Sequence, residues 1–236
     1  MLILAGTTEA RLLAGLCADR GIDAEVSLAG LVPGTDYPLP VRTGGFGGAE
    51  GLVRYLSARG TAGLVDATHP FAAAMPRHAA RAATAADVPH AMLKRPPWLP
   101  GPDEDWLELS DLAAAAAALP PGARAFLAIG AGSLGAFAAR RDCRLVLRQM
   151  TAPRELPAHV EALVARPGDR AAERALFRRL GITHLVAKNS GGPARAKLDA
   201  ARDLGLPVLM VARPVLPPGR LFAAPGAVLD WIEGLA

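Results

Sequence analysis

Cysteine is almost absent from this chain: Cys17 and Cys143 are the only two among 236 residues, and they belong to no metal-ligand spacing. No metal is therefore expected, and two lone thiols point to a reducing, cytoplasmic setting. Aromatics make up only 5%, and the lysines are Lys94, Lys188 and Lys197 alone. The +4 formal charge comes from arginine, with no Lys/Arg block and no interleaved aromatic platform, so nucleic acid is not an expected partner. A small anion carrying carboxylates or phosphates suits this mild basicity better. No apolar run approaches the length of a membrane span. Since residues 2–5 already read as a core strand, no targeting segment is expected. A Tyr-x-x-x-Lys pair is missing too: neither Tyr37 nor Tyr55 has a lysine four positions on, which argues against a short-chain dehydrogenase.

What is present begins at the N-terminus. Leu2 to Ala5 is a short apolar strand, Gly6-Thr7-Thr8-Glu9 is a tight turn, and Arg11 to Arg20 reads as a helix. Such a unit aims free backbone N–H groups and the positive end of a helix dipole at its turn, which suits a pyrophosphate. Gly6 permits the turn and a close ligand, and Thr7 and Thr8 add hydroxyls. A complete G-x-G-x-x-G is absent, and an ordinary strand-to-helix turn accounts for the same residues. Glu9 suits the first turn of a helix with or without a ligand.

A second strand covers 24–29. Dinucleotide sites that prefer NAD put an acid at its end. Here the end is Ser27-Leu28, with Asp23 and Glu25 at the wrong end, which favours NADP; Arg42 is a candidate for its 2′-phosphate. The loop Gly44-Gly45-Phe46-Gly47-Gly48 can approach a ligand closely and offers Phe46 to a ring, although a plain turn before the helix at 50–59 explains it equally. The next strand, 63–67, ends at Thr68-His69-Pro70-Phe71, and strand C-termini are where open α/β sheets bind ligands. Asp66 reads as a cap for that turn. His78, His90, His159 and His184 are scattered and need no functional reading.

Four prolines within 95–102 cannot continue a helix or a central strand, so they divide the chain into 1–97 and 98–236. The second half repeats the logic of the first. Strand 125–129 runs into Gly130-Ala131-Gly132-Ser133, and strand 144–150 carries Arg148 near its end as a candidate for substrate binding. Strand 184–187 leads into Lys188-Asn189-Ser190-Gly191-Gly192, where charge, amide, hydroxyl and glycines meet between a strand and a helix. The expected fold is α/β, with two Rossmann-like domains whose parallel sheets are flanked by helices.

Five stretches in this order resemble one family. They are LAGTTEAR at 4–11, GGFGG at 44–48, DATHPFAA at 66–73, RPPW at 95–98, and KNSGG at 188–192 followed by KLDAA at 197–201. Together they resemble the precorrin-6A reductase family of cobalamin biosynthesis, nearly end to end. The resemblance implies an NADPH-dependent reductase that saturates one carbon–carbon double bond of an anionic tetrapyrrole, precorrin-6A, with the cofactor in the interdomain cleft. A non-catalytic NADP-binding sensor or scaffold of the same fold is the alternative. Carried over residue by residue, the resemblance puts Gly6, Thr7, Thr8, Glu9, Ser27, Gly45, Phe46, Thr68, His69, Lys188, Asn189 and Ser190 at the cofactor. His69 and Lys188 are candidate proton donors or substrate anchors; water is a third source for the proton. Two departures stand out. Thr7-Thr8 replaces a second glycine common in the first turn, and Leu31 stands where relatives often carry arginine.

Overall fold

The computed structural model describes residues 1–30, 36–151 and 155–235. The chain forms two compact units: residues 1–96 with 214–236, and residues 97–213. In the first unit the strands are β1 (Leu2–Leu4), β2 (Glu25–Leu28), β3 (Val41–Thr43), β4 (Leu64–Asp66) and β5 (His90–Leu93). Helices α1 (Thr8–Asp19), α2 (Ala49–Ala58) and α3 (Ala74–Ala85) connect them. In the second, β6 (Trp106–Leu109) and α4 (Leu112–Ala118) precede β7 (Arg124–Ala128) and a 3₁₀ helix over Ala131–Phe137. Then come β8 (Arg144–Gln149), β9 (Val160–Val164), α5 (Arg170–Arg179), β10 (His184–Lys188), α6 (Ala196–Asp203) and β11 (Val208–Val211). β12 (Arg220–Phe222) and α7 (Pro225–Glu233) close the chain.

Each unit holds a six-stranded sheet, in the orders β12-β5-β4-β1-β2-β3 and β6-β11-β10-β7-β8-β9, and every strand pair is parallel. Successive strand residues face opposite sides, so a strand covered on both faces is apolar throughout. Ile3, Val26 and Val65 pack on one side with Leu13, Ala14 and Cys17 of α1 and Val228 and Ile232 of α7. Leu2, Leu4 and Leu64 pack on the other with Leu52 and Leu56 of α2 and Ala79 and Ala82 of α3. In the second unit Phe126, Val146, Leu185 and Met210 meet Phe177 of α5 and Leu198 of α6.

The division expected from the sequence left residues 214–236 with the second half. Instead Arg220–Phe222 pairs with Ala91–Leu93 and extends the first sheet by one strand beyond β5. The apolar face of α7 then completes the core beside α1. Three residues with two exposed side chains carry too little pattern to announce that strand.

Both sheets have a point where the chain reverses its direction of growth. It falls between β1 and β4 in the first and between β7 and β10 in the second. Connections leave the two central strands toward opposite faces there and open a crevice at their C-terminal ends.

Candidate functional site

At the first of these points lies a cavity of about 420 Å³. It is lined by Gly6 after β1, Ser27 and Ala29 at the end of β2, Gly44 to Gly48 after β3, and Thr68 and His69 after β4. Six residues expected from sequence therefore meet here: Gly6, Ser27, Gly45, Phe46, Thr68 and His69. Met75 and His78 of α3 join them. His78, read from the sequence as scattered, lines the same cavity as His69 from within α3. Gly6 has φ of 132°, a conformation that only glycine adopts without strain. The Gly44–Gly48 loop carries three such residues, at φ of 105°, 76° and 92° for Gly44, Gly47 and Gly48. Its close seat on α2 depends on Gly51, where a Cβ would lie 2.7 Å from the Phe46 carbonyl carbon and closer still to its oxygen.

Arg42 is braced at the edge of this cavity. Its Nη1 donates to Ser27 Oγ at 2.7 Å, its Nη2 donates to the Gly45 carbonyl at 3.4 Å, and its guanidinium lies 4.0 Å from the Phe46 ring centroid. The guanidinium is thus stacked on an aromatic face and tied to a hydroxyl, which holds it in one orientation. Leu31, the position of the second departure, lies outside the described residues.

The first turn divides its roles differently from the sequence expectation. Thr7 is the N-cap of α1: its hydroxyl accepts from the Ala10 amide at 3.1 Å and donates to the Ala67 carbonyl at 2.9 Å. That hydroxyl ties the ends of β1 and β4 together. Glu9 pairs with Arg95 at 3.1 Å, and Thr8 is exposed. The amides of Thr8 and Glu9, in the first turn of α1, have no intrahelical acceptor.

The His69 turn has its own support. The Phe71 amide donates to His69 Nδ1 at 3.2 Å, so the neutral ring carries its proton on Nε2. Beneath it, Asp66 Oδ1 accepts from the Thr68 amide at 3.0 Å, from the Thr68 hydroxyl at 2.6 Å and from Lys94 Nζ at 2.9 Å. Asp66 therefore does more than cap a turn. Lys94, a plain strand residue by sequence, is its buried partner. The signal available in the sequence was an acid and a rare lysine, each at the end of an apolar strand.

In the second unit Lys188 Nζ donates to Ser133 Oγ at 2.7 Å, bridging the ends of β10 and β7. Burial pushes the Lys188 ammonium below the ordinary lysine range. Asn189 is occupied by backbone: its Oδ1 accepts from the Trp98 amide at 2.8 Å and its Nδ2 donates to the Trp98 carbonyl at 3.0 Å. This fixes the RPPW segment, whose indole donates to the Gly192 carbonyl at 2.8 Å. The Ser190 hydroxyl donates to the Lys188 carbonyl at 3.2 Å. Arg148, expected to reach substrate, is buried instead: it pairs with Glu173 at 2.9 Å and sits 4.8 Å from the Phe126 ring centroid. Its position inside β8, under α5, turns it toward the core. Among the described residues no helix is long and apolar enough to cross a membrane, and no three His, Cys, Asp or Glu side chains gather as a metal site.

Comparison with known proteins agrees with this architecture. The family model described as precorrin-6x reductase CbiJ/CobK matches residues 1–233. A protein of Rhodococcus erythropolis named precorrin-6A reductase is 49% identical over 92% of this chain and 90% of its own length. One of Rhodobacter capsulatus with the same name is 44% identical over 98% and 95%. A solved structure described as CobK precorrin-6A reductase superposes with a TM-score of 0.91 at 43% identity, covering 100% of this chain and 96% of that one.

Proposed function

This chain belongs to the precorrin-6x reductase CbiJ/CobK family, and on that premise we propose that it reduces one carbon–carbon double bond of precorrin-6A with NADPH. The observation that carries the cofactor reading is the cavity at the reversal point of the first sheet, where Gly6, Ser27, Gly45, Phe46, Thr68 and His69 converge. Its residues fit a dinucleotide phosphate. Glycine backbone forms one wall, the first turn of α1 presents two amides without intrahelical acceptors, and no carboxylate stands at the end of β2 to repel a 2′-phosphate. Ser27 and the stacked Arg42 supply the polar and cationic groups for that phosphate.

When bound, the dihydronicotinamide supplies a hydride to one alkene carbon, and a proton must reach the other. The protein holds the two reactants in register and keeps water out. Lys188, whose ammonium loses its proton more readily after burial, and His69 are the candidate acids; His69 can act only as the imidazolium, because the neutral ring that accepts the Phe71 amide at Nδ1 does not give up its Nε2 proton. Either could instead anchor a carboxylate arm of the macrocycle. Asn189 and Thr7 act one step back, by fixing Trp98 and the α1 entry.

The test follows NADPH absorbance with purified protein and precorrin-6A, beside NADH. Tetrapyrrole-dependent oxidation of NADPH is the expected result. Binding of NADPH without oxidation would favour a sensor or scaffold. A charge-assisted hydrogen bond contributes about 1.5–3 kcal/mol, so Arg42→Ala is expected to raise KM for NADPH roughly 10- to 150-fold and leave NADH nearly unchanged. Equal effects on both cofactors would remove Arg42 from 2′-phosphate recognition.

A further inference from the structure

We infer that Lys94 is a positioning residue of the cofactor cavity, holding the Thr68–His69 turn in its working shape with Asp66 as counter-ion. This rests on the cofactor reading above.

The two side chains are almost sealed from water, with 2% of Lys94 and 0% of Asp66 exposed. Nothing about a parallel sheet requires an ion pair there. A methionine and a leucine would fill similar volume, and buried pairs are often no more stabilising than apolar replacements. What the pair does locally is specific. Lys94 Nζ donates to Asp66 Oδ1 at 2.9 Å, to the Thr68 carbonyl at 2.9 Å and to the Thr68 hydroxyl at 3.0 Å. Two of these go to one residue of the cavity wall. The same Asp66 oxygen also takes the Thr68 amide and hydroxyl. Thr68 is thereby held at its N–H, its C=O and its side chain at once. His69 follows it directly, with its ring fixed by the Phe71 amide. A turn held this tightly presents Thr68 and His69 in one orientation, which is what a site built on a loop needs.

Position along the chain supports the same reading. Lys94 sits just beyond β5, with its own amide donating to the Phe222 carbonyl of β12 at 2.9 Å. The lysine is thus anchored on the sheet while its ammonium reaches into the turn after β4. Rigid sheet and functional loop are joined through one side chain.

Lys94→Met alone would strand a buried carboxylate and unfold the unit for reasons unrelated to positioning. The informative variant is Asp66→Asn/Lys94→Met, which removes both charges and keeps an oxygen to accept from the Thr68 amide. Amide hydrogen exchange in ligand-free protein reads the turn directly. Exchange across residues 67–73 is expected to speed up at least about tenfold while β1 and β4 amides stay protected. Titration with NADPH, followed by its fluorescence, is expected to show Kd raised about tenfold at an unchanged unfolding midpoint. Unaltered exchange overturns the inference whatever the cofactor. Faster exchange with unaltered Kd also overturns it, because the turn would then move without consequence for the cavity. If the wild-type protein binds no NADPH, the cofactor reading fails instead, and loss of the His69 turn's exchange protection alone decides whether Lys94 holds it.

Discussion

Replacing Arg148 tests whether it is a structural cation or a substrate arm. Its side chain and that of Glu173 are 8% and 2% exposed, their charged ends are 2.9 Å apart, and Glu173 Oε1 also accepts from the Gly168 amide at 2.8 Å. Removing one partner of such a pair leaves an uncompensated charge in the core, at a cost of about 3–5 kcal/mol. Arg148→Met is expected to lose that amount in urea-induced unfolding, a large part of a typical 5–15 kcal/mol total. Adding Glu173→Gln removes the orphaned charge and keeps an oxygen for Gly168. The double variant should return to within about 1 kcal/mol of wild type. Trp98 and Trp106 lie in the second unit and Trp231 in the first, so fluorescence in a Trp231→Phe background follows the second unit alone. A single variant that loses less than about 1 kcal/mol, with KM for the tetrapyrrole raised tenfold, would refute the structural role and restore Arg148 as a substrate contact.

Other substitutions probe the rest of the framework. Gly51→Ala forces Phe46 and its loop away from α2; the cost is about 1–3 kcal/mol of stability, and cofactor affinity measured by titration should fall with it. Asn189→Ala frees the buried Trp98 amide and carbonyl, so it should destabilise the second unit by about 2–4 kcal/mol in urea and change the Trp98 emission. Burial holds His90 below the ordinary histidine range, so between its folded value and about 6.5 the unfolded chain binds more protons. Stability should therefore decline as pH falls below 6.5, and His90→Gln should flatten that decline in unfolding midpoints measured across pH 5 to 7.

The alternating strand-and-helix order, the apolar runs buried on both faces, and the glycines at strand ends were all written in local pattern. Period, composition and turn chemistry act over a few residues, so they survive without knowledge of the fold. Gly6, the Gly44–Gly48 loop and the Thr68-His69 turn, which line the cavity, could be singled out for the same reason. Pairing across the chain could not be read this way. The Lys94–Asp66 contact joins residues 28 apart, the Arg42–Ser27 bond joins residues 15 apart, and the Asn189–Trp98 clamp joins residues 91 apart. The first two arise only when parallel strands come into register, which burial of the whole sheet sets, and the third only when the segment at Trp98 packs beside the end of β10. Tertiary structure also decided which polar groups are spent. Thr7 caps a helix, Asn189 clamps a backbone and Arg148 neutralises Glu173, because a buried donor or acceptor must find a partner wherever the fold puts one. The sequence by itself therefore determined the architecture and the rim of the site; only the packed sheets decided which residues face the cavity and which hold it in place.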